Sequence, residues 1–142
     1  MAASEWAPVR LPQAGLNLLI PCNDQQLAAY KNGNEARRRA EGIVGCESKG
    51  RTFHVIYAVN TPAGFFDGFL SRVPDARKQQ FSVRGHRVIR SAEHGDGRLS
   101  GTQLIEIDAS RAIIMATSSP LNDAEFAKLT SCFFNSFTFV TP

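Results

Sequence analysis

Side chains alternate strictly through residues 52–60, and this pattern constrains the fold more than any other feature of the sequence. An extended backbone places four of these residues on one side: Phe53, Val55, Tyr57 and Val59. A period of two over this length is typical of a β-strand with one buried face. Residues 42–46 precede it across a polar turn at residues 48–50, so the sequence predicts a β-hairpin here.

Further strands are indicated before and after this hairpin. Residues 8–22 predict two strands that turn at Gly15. Residues 23–41 are polar and predict a loop with a short helix at 24–30. A meander of three antiparallel strands is expected next, over residues 81–93, 99–108 and 111–119. A short closing strand is indicated by Phe137, Phe139 and Val140.

Two helices are predicted among these strands. The pair Thr61-Pro62 is typical of a helix start, with Thr as the N-cap and Pro in the first turn. The apolar stripe that follows has helical spacing and consists of Phe65 or Phe66, Phe69, Leu70 and Val73. Pro74 cannot continue this helix, because it has no N–H group to donate. The second helix is predicted to start at a capping box of Asn122 and Glu125 and to end near residue 134.

Together these elements predict an α+β fold: an antiparallel sheet of about six or seven strands with two main helices packed on it. The 142 residues are 43% hydrophobic, which suits one domain over residues 1–142. No apolar run approaches the roughly 18 to 20 residues that cross a bilayer, so no membrane span is expected. The formal net charge of +3 is modest and spread out, which argues against nucleic acid as a partner.

The sequence holds three cysteines, so at least one stays outside any intramolecular pairing. Cys22 and Cys46 close two predicted strands, and two possibilities stay open: a disulfide between them, or three free thiols. The disulfide would indicate an oxidising compartment. Cys132 lies among apolar residues of the second helix and is interpreted as a small buried hydrophobic residue.

Several segments resemble the PsbP-like α/β domain superfamily. The opening hairpin turns at Gly15 and ends at Pro21. A strand ends in Val59-Asn60-Thr61-Pro62 and enters an aromatic helix, and Val83-Arg84-Gly85-His86 matches the turn before the meander. The most specific segment is the close of the chain from Ala127 to Phe139, which contains Phe134-Asn135-Ser136-Phe137-Thr138-Phe139 and resembles the family's ending F-x-x-S-F-x-F. The resemblance covers nearly the whole chain by layout.

This resemblance implies a PsbP-like α/β/α sandwich that binds or scaffolds other molecules rather than catalysing a reaction. The superfamily also includes the Mog-type Ran-binding protein and many small bacterial lipoprotein or periplasmic domains. An extracytoplasmic protein, periplasmic or secreted with its leader removed, is therefore expected. A cytoplasmic protein is the alternative, because the first residues show no signal peptide. Two features depart from the family: Pro74 shortens or kinks its long helix, and residues 23–41 are longer and more basic.

Motifs of enzyme active sites are missing from the sequence. It contains no nucleophile elbow, zinc-protease motif, phosphate-binding loop or dinucleotide-binding motif. His94 and Asp96 at a predicted turn are too few for a metal site, and there is no Cys-x-x-Cys pair. We therefore expect a protein that is not an enzyme and that needs neither a cofactor nor a metal, with a hydrolase as the least favoured alternative.

Two candidate binding sites remain. A basic patch is predicted from Arg37, Arg38, Arg39, Lys49 and Arg51, because the planar guanidinium binds carboxylates through paired hydrogen bonds. Glutamates flank the same run, so a solvated loop surface is the alternative interpretation. An apolar cleft between helix and sheet is predicted from Phe65, Phe69 and Met115.

The resulting expectation is a non-catalytic protein-binding domain of the adaptor, chaperone, inhibitor or immunity type. Its partner would be a protein, and the domain itself a monomer or weak homodimer. The alternative is a small-ligand or lipid-binding module that uses the apolar cleft.

Overall fold

The computed structural model describes residues 6–22, 43–95 and 97–140. Within these ranges the chain forms nine strands and two α-helices. The strands are β1 (Ala7–Leu11), β2 (Leu16–Ile20), β3 (Ile43–Ser48), β4 (Arg51–Val59), β5 (Lys78–Val83), β6 (His86–Gly95), β7 (Arg98–Asp108), β8 (Arg111–Pro120) and β9 (Thr138–Phe139). The helices are α1 (Phe65–Arg72) and α2 (Phe126–Phe134).

Six strands form one antiparallel sheet in the order β3-β4-β8-β7-β6-β5. The predicted hairpin is confirmed as β3 and β4, which pair from Ile43 opposite Ile56 to Ser48 opposite Arg51. Strands β6, β7 and β8 form the predicted meander. The prediction of one continuous strand over residues 81–93 is wrong, because Arg84 and Gly85 both adopt positive φ and turn the chain between β5 and β6.

The remaining three strands form a separate small sheet in the order β1-β2-β9. The opening hairpin is confirmed, with Gly15 in the left-handed region at its turn. The closing strand β9 pairs with β2 rather than with the meander. The α+β class is therefore confirmed, but the strands are more numerous than predicted and are divided between two sheets.

The two faces of the large sheet are covered by different elements. Its inner face packs against the small sheet and α2, so that Val55, Ile105 and Ile113 share a core with the leucines of β2 and with Phe133. Its outer face is covered by α1, where Phe66 packs on Ile89, Leu104 and Ala112. The molecule thus has three layers: α1, the large sheet, and the small sheet with α2 beside it.

Both predicted helices form, but neither begins as predicted. Thr61 is not an N-cap, because its N–H donates to the carbonyl of Ser110 and α1 begins only after Gly64, which has a φ of 76°. The predicted end at Pro74 is confirmed, since α1 stops at Arg72. The capping box of Asn122 and Glu125 is wrong: α2 begins at Phe126, and Asp123 accepts the N–H of Glu125. Neither helix has the length and apolar character that a membrane crossing needs.

Candidate functional site

A groove of about 640 Å³ follows α2 where this helix lies on the large sheet. Phe126, Ala127, Thr130, Ser131 and Phe134 of α2 line one wall. Ala92 and Leu99 lie on the floor, and residues 77–79 line the opposite wall, at the start of β5. The groove is open to solvent, and its lining is mostly apolar.

The close approach of α2 to the sheet depends on Gly101 in β7. A Cβ atom at this position would lie 3.1 Å from Thr117 Oγ1, 3.2 Å from Thr130 Cγ2 and 3.4 Å from a ring atom of Phe134. Distances this short require the neighbouring atoms to move. The missing side chain therefore sets how near the helix lies to the floor of the groove.

Asp123 anchors the N-terminal end of α2. Its carboxylate accepts hydrogen bonds from Arg51 Nη2 at 2.8 Å, from Arg51 Nε, from Ser119 Oγ at 2.5 Å and from the N–H of Glu125 at 3.1 Å. The bonds from Arg51 contribute most to holding the pKa of Asp123 well below its usual range. These bonds tie the start of α2 to β4 and β8.

The C-terminal end of α2 is held by a second set of polar contacts. Gln103 Nε2 donates to the carbonyl of Phe134 at 2.8 Å, and Arg90 Nη2 donates to Asn135 Oδ1 at 2.5 Å. Ser136 Oγ accepts the N–H of Leu19 at 3.0 Å and donates to Phe133 O at 2.7 Å. Since α2 is tied down at both ends, the groove exists without a ligand to form it.

Arg90 lies at the end of the groove beside Phe134. Its guanidinium is 4.8 Å from the ring centroid of Phe81 and 5.9 Å from that of Phe134. Its acceptors are Gln103 Oε1, the carbonyl of Phe134 and Asn135 Oδ1, all of which are neutral. Burial lowers the pKa of Arg90, because the charged form loses contact with water.

The predicted apolar cleft of Phe65, Phe69 and Met115 is wrong. Met115 is fully buried in the inner core, whereas Phe65 and Phe69 pack beside α1 on the outer face of the sheet. Successive residues of β8 point to opposite faces, so Ile114 lies towards α1 and Met115 lies away from it. The space beneath α1 is filled by Phe66, which is 4% exposed.

Depressions beside α1 are smaller than the α2 groove. One of about 300 Å³ contains Phe69, and another of about 460 Å³ contains Phe65. In the second, Arg87 pairs with Asp67 and Glu106, so its cation is already matched by carboxylates. An open cleft between a helix and the sheet does exist, but at the other helix. The signal of this cleft in the sequence is Gly101 inside a strand, a residue that was not among the predicted site residues.

The predicted basic patch is only partly within the described residues. Arg37, Arg38 and Arg39 lie outside them, so the patch stays a prediction. Lys49 is exposed in the turn between β3 and β4. Arg51 is half-buried and pairs with Asp123 and Glu125, so its charge serves the anchoring of α2.

Two of the cysteines form a disulfide. Cys22 and Cys46 are bonded, with their Cα atoms 6.4 Å apart, so the alternative of three free thiols is not what the structure contains. Cys132 is free but half-buried, and its interpretation as a core residue is wrong. His94 is exposed, and Asp96 lies outside the described residues. Across the described ranges, no group of three or more metal-ligating side chains is found.

Comparison with known proteins identifies the fold. No protein-family model and no curated protein matches the sequence. The solution structure of cyanobacterial PsbP (CyanoP) from Synechocystis sp. PCC 6803 does match, with a TM-score of 0.55 over 96% of this chain and 93% of that chain.

The fold is PsbP-like. The order of elements that suggested this family therefore reflects a shared three-dimensional arrangement. The two chains are 13% identical, so the match concerns the PsbP-like fold alone. The chemistry of the α2 groove must be argued from the residues of this chain.

Proposed function

We propose that this chain is a non-catalytic protein-binding domain whose binding site is the α2 groove. The observation that carries the proposal is the groove itself, which is open, mostly apolar and held in shape by polar contacts at both ends of α2. Its volume of about 640 Å³ lies within the range of natural ligand sites. Several apolar side chains of a partner segment would fill it.

Polar residues along the groove favour a polypeptide occupant. Gln79, Thr130 and Ser131 lie among the apolar lining and offer hydrogen-bonding groups on both walls. An extended peptide needs such partners for its N–H and C=O groups, whereas an alkyl chain does not. The open shape also suits a segment that continues into a larger partner.

A small amphiphile is the second candidate, because the same volume is typical of small-molecule sites.

We also propose that the protein acts outside the cytoplasm. The disulfide between Cys22 and Cys46 supports it, since such bonds persist in oxidising compartments.

Site-directed photocrosslinking in cells of the source organism tests the proposed function. A photoreactive residue replaces Ala127, which lines the groove, or Lys128, which is exposed on the same helix but outside the lining. We expect one defined protein to be captured from position 127 and not from position 128. Equal capture at both positions, or capture at neither, contradicts the proposal. A small-mass adduct at position 127 alone supports the amphiphile instead.

A further inference from the structure

Arg90 is a half-buried cation of the groove whose hydrogen-bond acceptors are all neutral. Arg51, Arg87 and Arg111 each pair with at least one Asp or Glu. Among the described residues, no acidic side chain forms an ion pair with Arg90. A half-buried cation is normally matched by an anion, so this charge is open to one from a ligand.

Donor capacity also remains at Arg90. The hydrogen bonds to neighbouring groups use Nε and Nη2, and within the described part of the chain Nη1 donates to no acceptor. A guanidinium carries five N–H donors, of which Nη1 supplies two. A carboxylate in the groove could therefore bind Arg90 without displacing its contacts to α2.

The other charges in the groove leave it positive at this end. Lys78 pairs with Asp75, and Asp123 pairs with Arg51, so both are already neutralised. Arg77 is an exposed cation on the same wall as Lys78. Glu93 is the remaining acidic residue of the lining and is exposed. This balance favours an anionic group beside an apolar one.

We infer that the α2 groove binds the C-terminal end of a partner protein, with Arg90 holding the terminal carboxylate. This inference rests on the proposed function. Arg90 lies where α2 ends, beside Phe134, and not midway along the groove. An anion at the end of a bound chain fits that position, and apolar side chains before it would lie against Phe126, Ala127 and Leu99. The polar groups on the walls favour a peptide over a fatty acid.

Short synthetic peptides with apolar last residues test this inference on the full oxidised chain. Each peptide of an array is made twice, once with a free C-terminal carboxylate and once as the C-terminal amide. We expect the free acids that bind to do so at least about tenfold more tightly than their amides, since a hydrogen bond to a charged group contributes about 1.5–3 kcal/mol. Hexadecanoate is included as a competitor.

Variants separate this inference from the proposed function. Arg90→Gln should bring the ratio of acid to amide affinity to about one, even if α2 shifts and total affinity falls. Arg10→Gln removes an exposed cation from β1, which contributes no residue to the groove lining, and should leave the ratio unchanged. Ala127→Trp should block both forms, because Trp fills the groove.

The possible outcomes distinguish a failure of the carboxylate inference from a failure of the proposed function. Peptides that bind wild type, are blocked by Ala127→Trp and show equal acid and amide affinities overturn the role of Arg90 but leave the groove. An array with no binder, or binders indifferent to Ala127→Trp, overturns the proposed function and this inference together. Hexadecanoate that outcompetes every peptide shows that the carboxylate belongs to a fatty acid and overturns the peptide assignment.

Discussion

Asp123 receives hydrogen bonds from three residues, of which two are close in sequence and Arg51 is distant. Arg51 lies at the start of β4, Ser119 near the end of β8, and Glu125 just before α2. The carboxylate is 10% exposed, so these bonds replace most of its contact with water. Capping residues were expected here from the local pattern of Asn122 and Glu125. The acceptor in the structure is Asp123, whose carboxylate is held in place by Arg51. Because Arg51 is distant in sequence, a local pattern does not predict this arrangement.

Replacing Asp123 with Asn should lower the free energy of unfolding at pH 7 by about 2–3 kcal/mol, because Arg51 keeps its charge, loses the nearer of its two carboxylate partners and retains only the longer contact to exposed Glu125. Urea unfolding measures the change. Asp75→Asn is the matched control, since this carboxylate also pairs with a cation but is exposed, and it should have no measurable effect.

The effect of Asp123→Asn should also depend on pH. The pKa of Asp123 is lowered in the folded protein from its ordinary value of 3.8, so below about pH 4 the unfolded chain takes up the proton first. The stability that the charged carboxylate contributes is present above that pH and is lost as the pH falls further. The difference between wild type and variant should therefore shrink in acid. A difference that stays constant down to about pH 2 would contradict this assignment.

Strands and turns were predicted well at the scale of elements. The β3–β4 hairpin, the meander and the end of α1 before Pro74 all formed as expected, because alternation, polar turns and a missing N–H act over a few residues. The burial of adjacent phenylalanines was harder to predict from the sequence. Phe65 is half-buried beside buried Phe66, whereas Phe133 and Phe134 are both buried. Helix α2 is covered on two sides, by the small sheet and the large sheet, and one helix alone does not reveal this.

Gly101→Ala should lower the free energy of unfolding by about 1–3 kcal/mol, since the new methyl group meets atoms of β8 and α2 at short range. Gly95→Ala is the matched control in β6, where a Cβ has open space within 4 Å. That variant should change stability by less than about 0.5 kcal/mol. Urea unfolding of the pair distinguishes a packing effect from a general cost of replacing glycine in a strand. Equal results for both variants would show that the approach of α2 does not depend on Gly101.

At the scale of the whole molecule, a disulfide joins the two sheets. Cys22 follows β2 of the small sheet, and Cys46 lies in β3 of the large sheet. Both residues are buried in the core that the two sheets share. The bond closes a loop between residues separated by 24 positions. The disulfide therefore restricts the conformations of the unfolded chain. It also keeps the two sheets connected at this point when the packing between them opens locally.

Replacing both Cys22 and Cys46 with Ala should lower the free energy of unfolding by about 3 kcal/mol, as expected for a loop of this length. Reductant should destabilise wild type by a similar amount and leave the double variant unchanged. Cys132→Ala is the control, because this thiol is free and half-buried, and its effect should be small. Intact mass measured before and after reduction reports the bond directly. Wild type that unfolds identically with and without reductant would contradict the prediction.

Local patterns in the sequence were enough to establish the α+β class, most strand and turn positions and the end of α1, because each depends on residues close together along the chain. Other features depend on which distant segments pack together: the division into two sheets, the burial of both Phe133 and Phe134, and the separation of Met115 from Phe65 and Phe69. The groove likewise depends on contacts between distant segments. Its floor, its walls and the unmatched charge of Arg90 come from β5, β6, β7 and α2, which meet only when the chain folds.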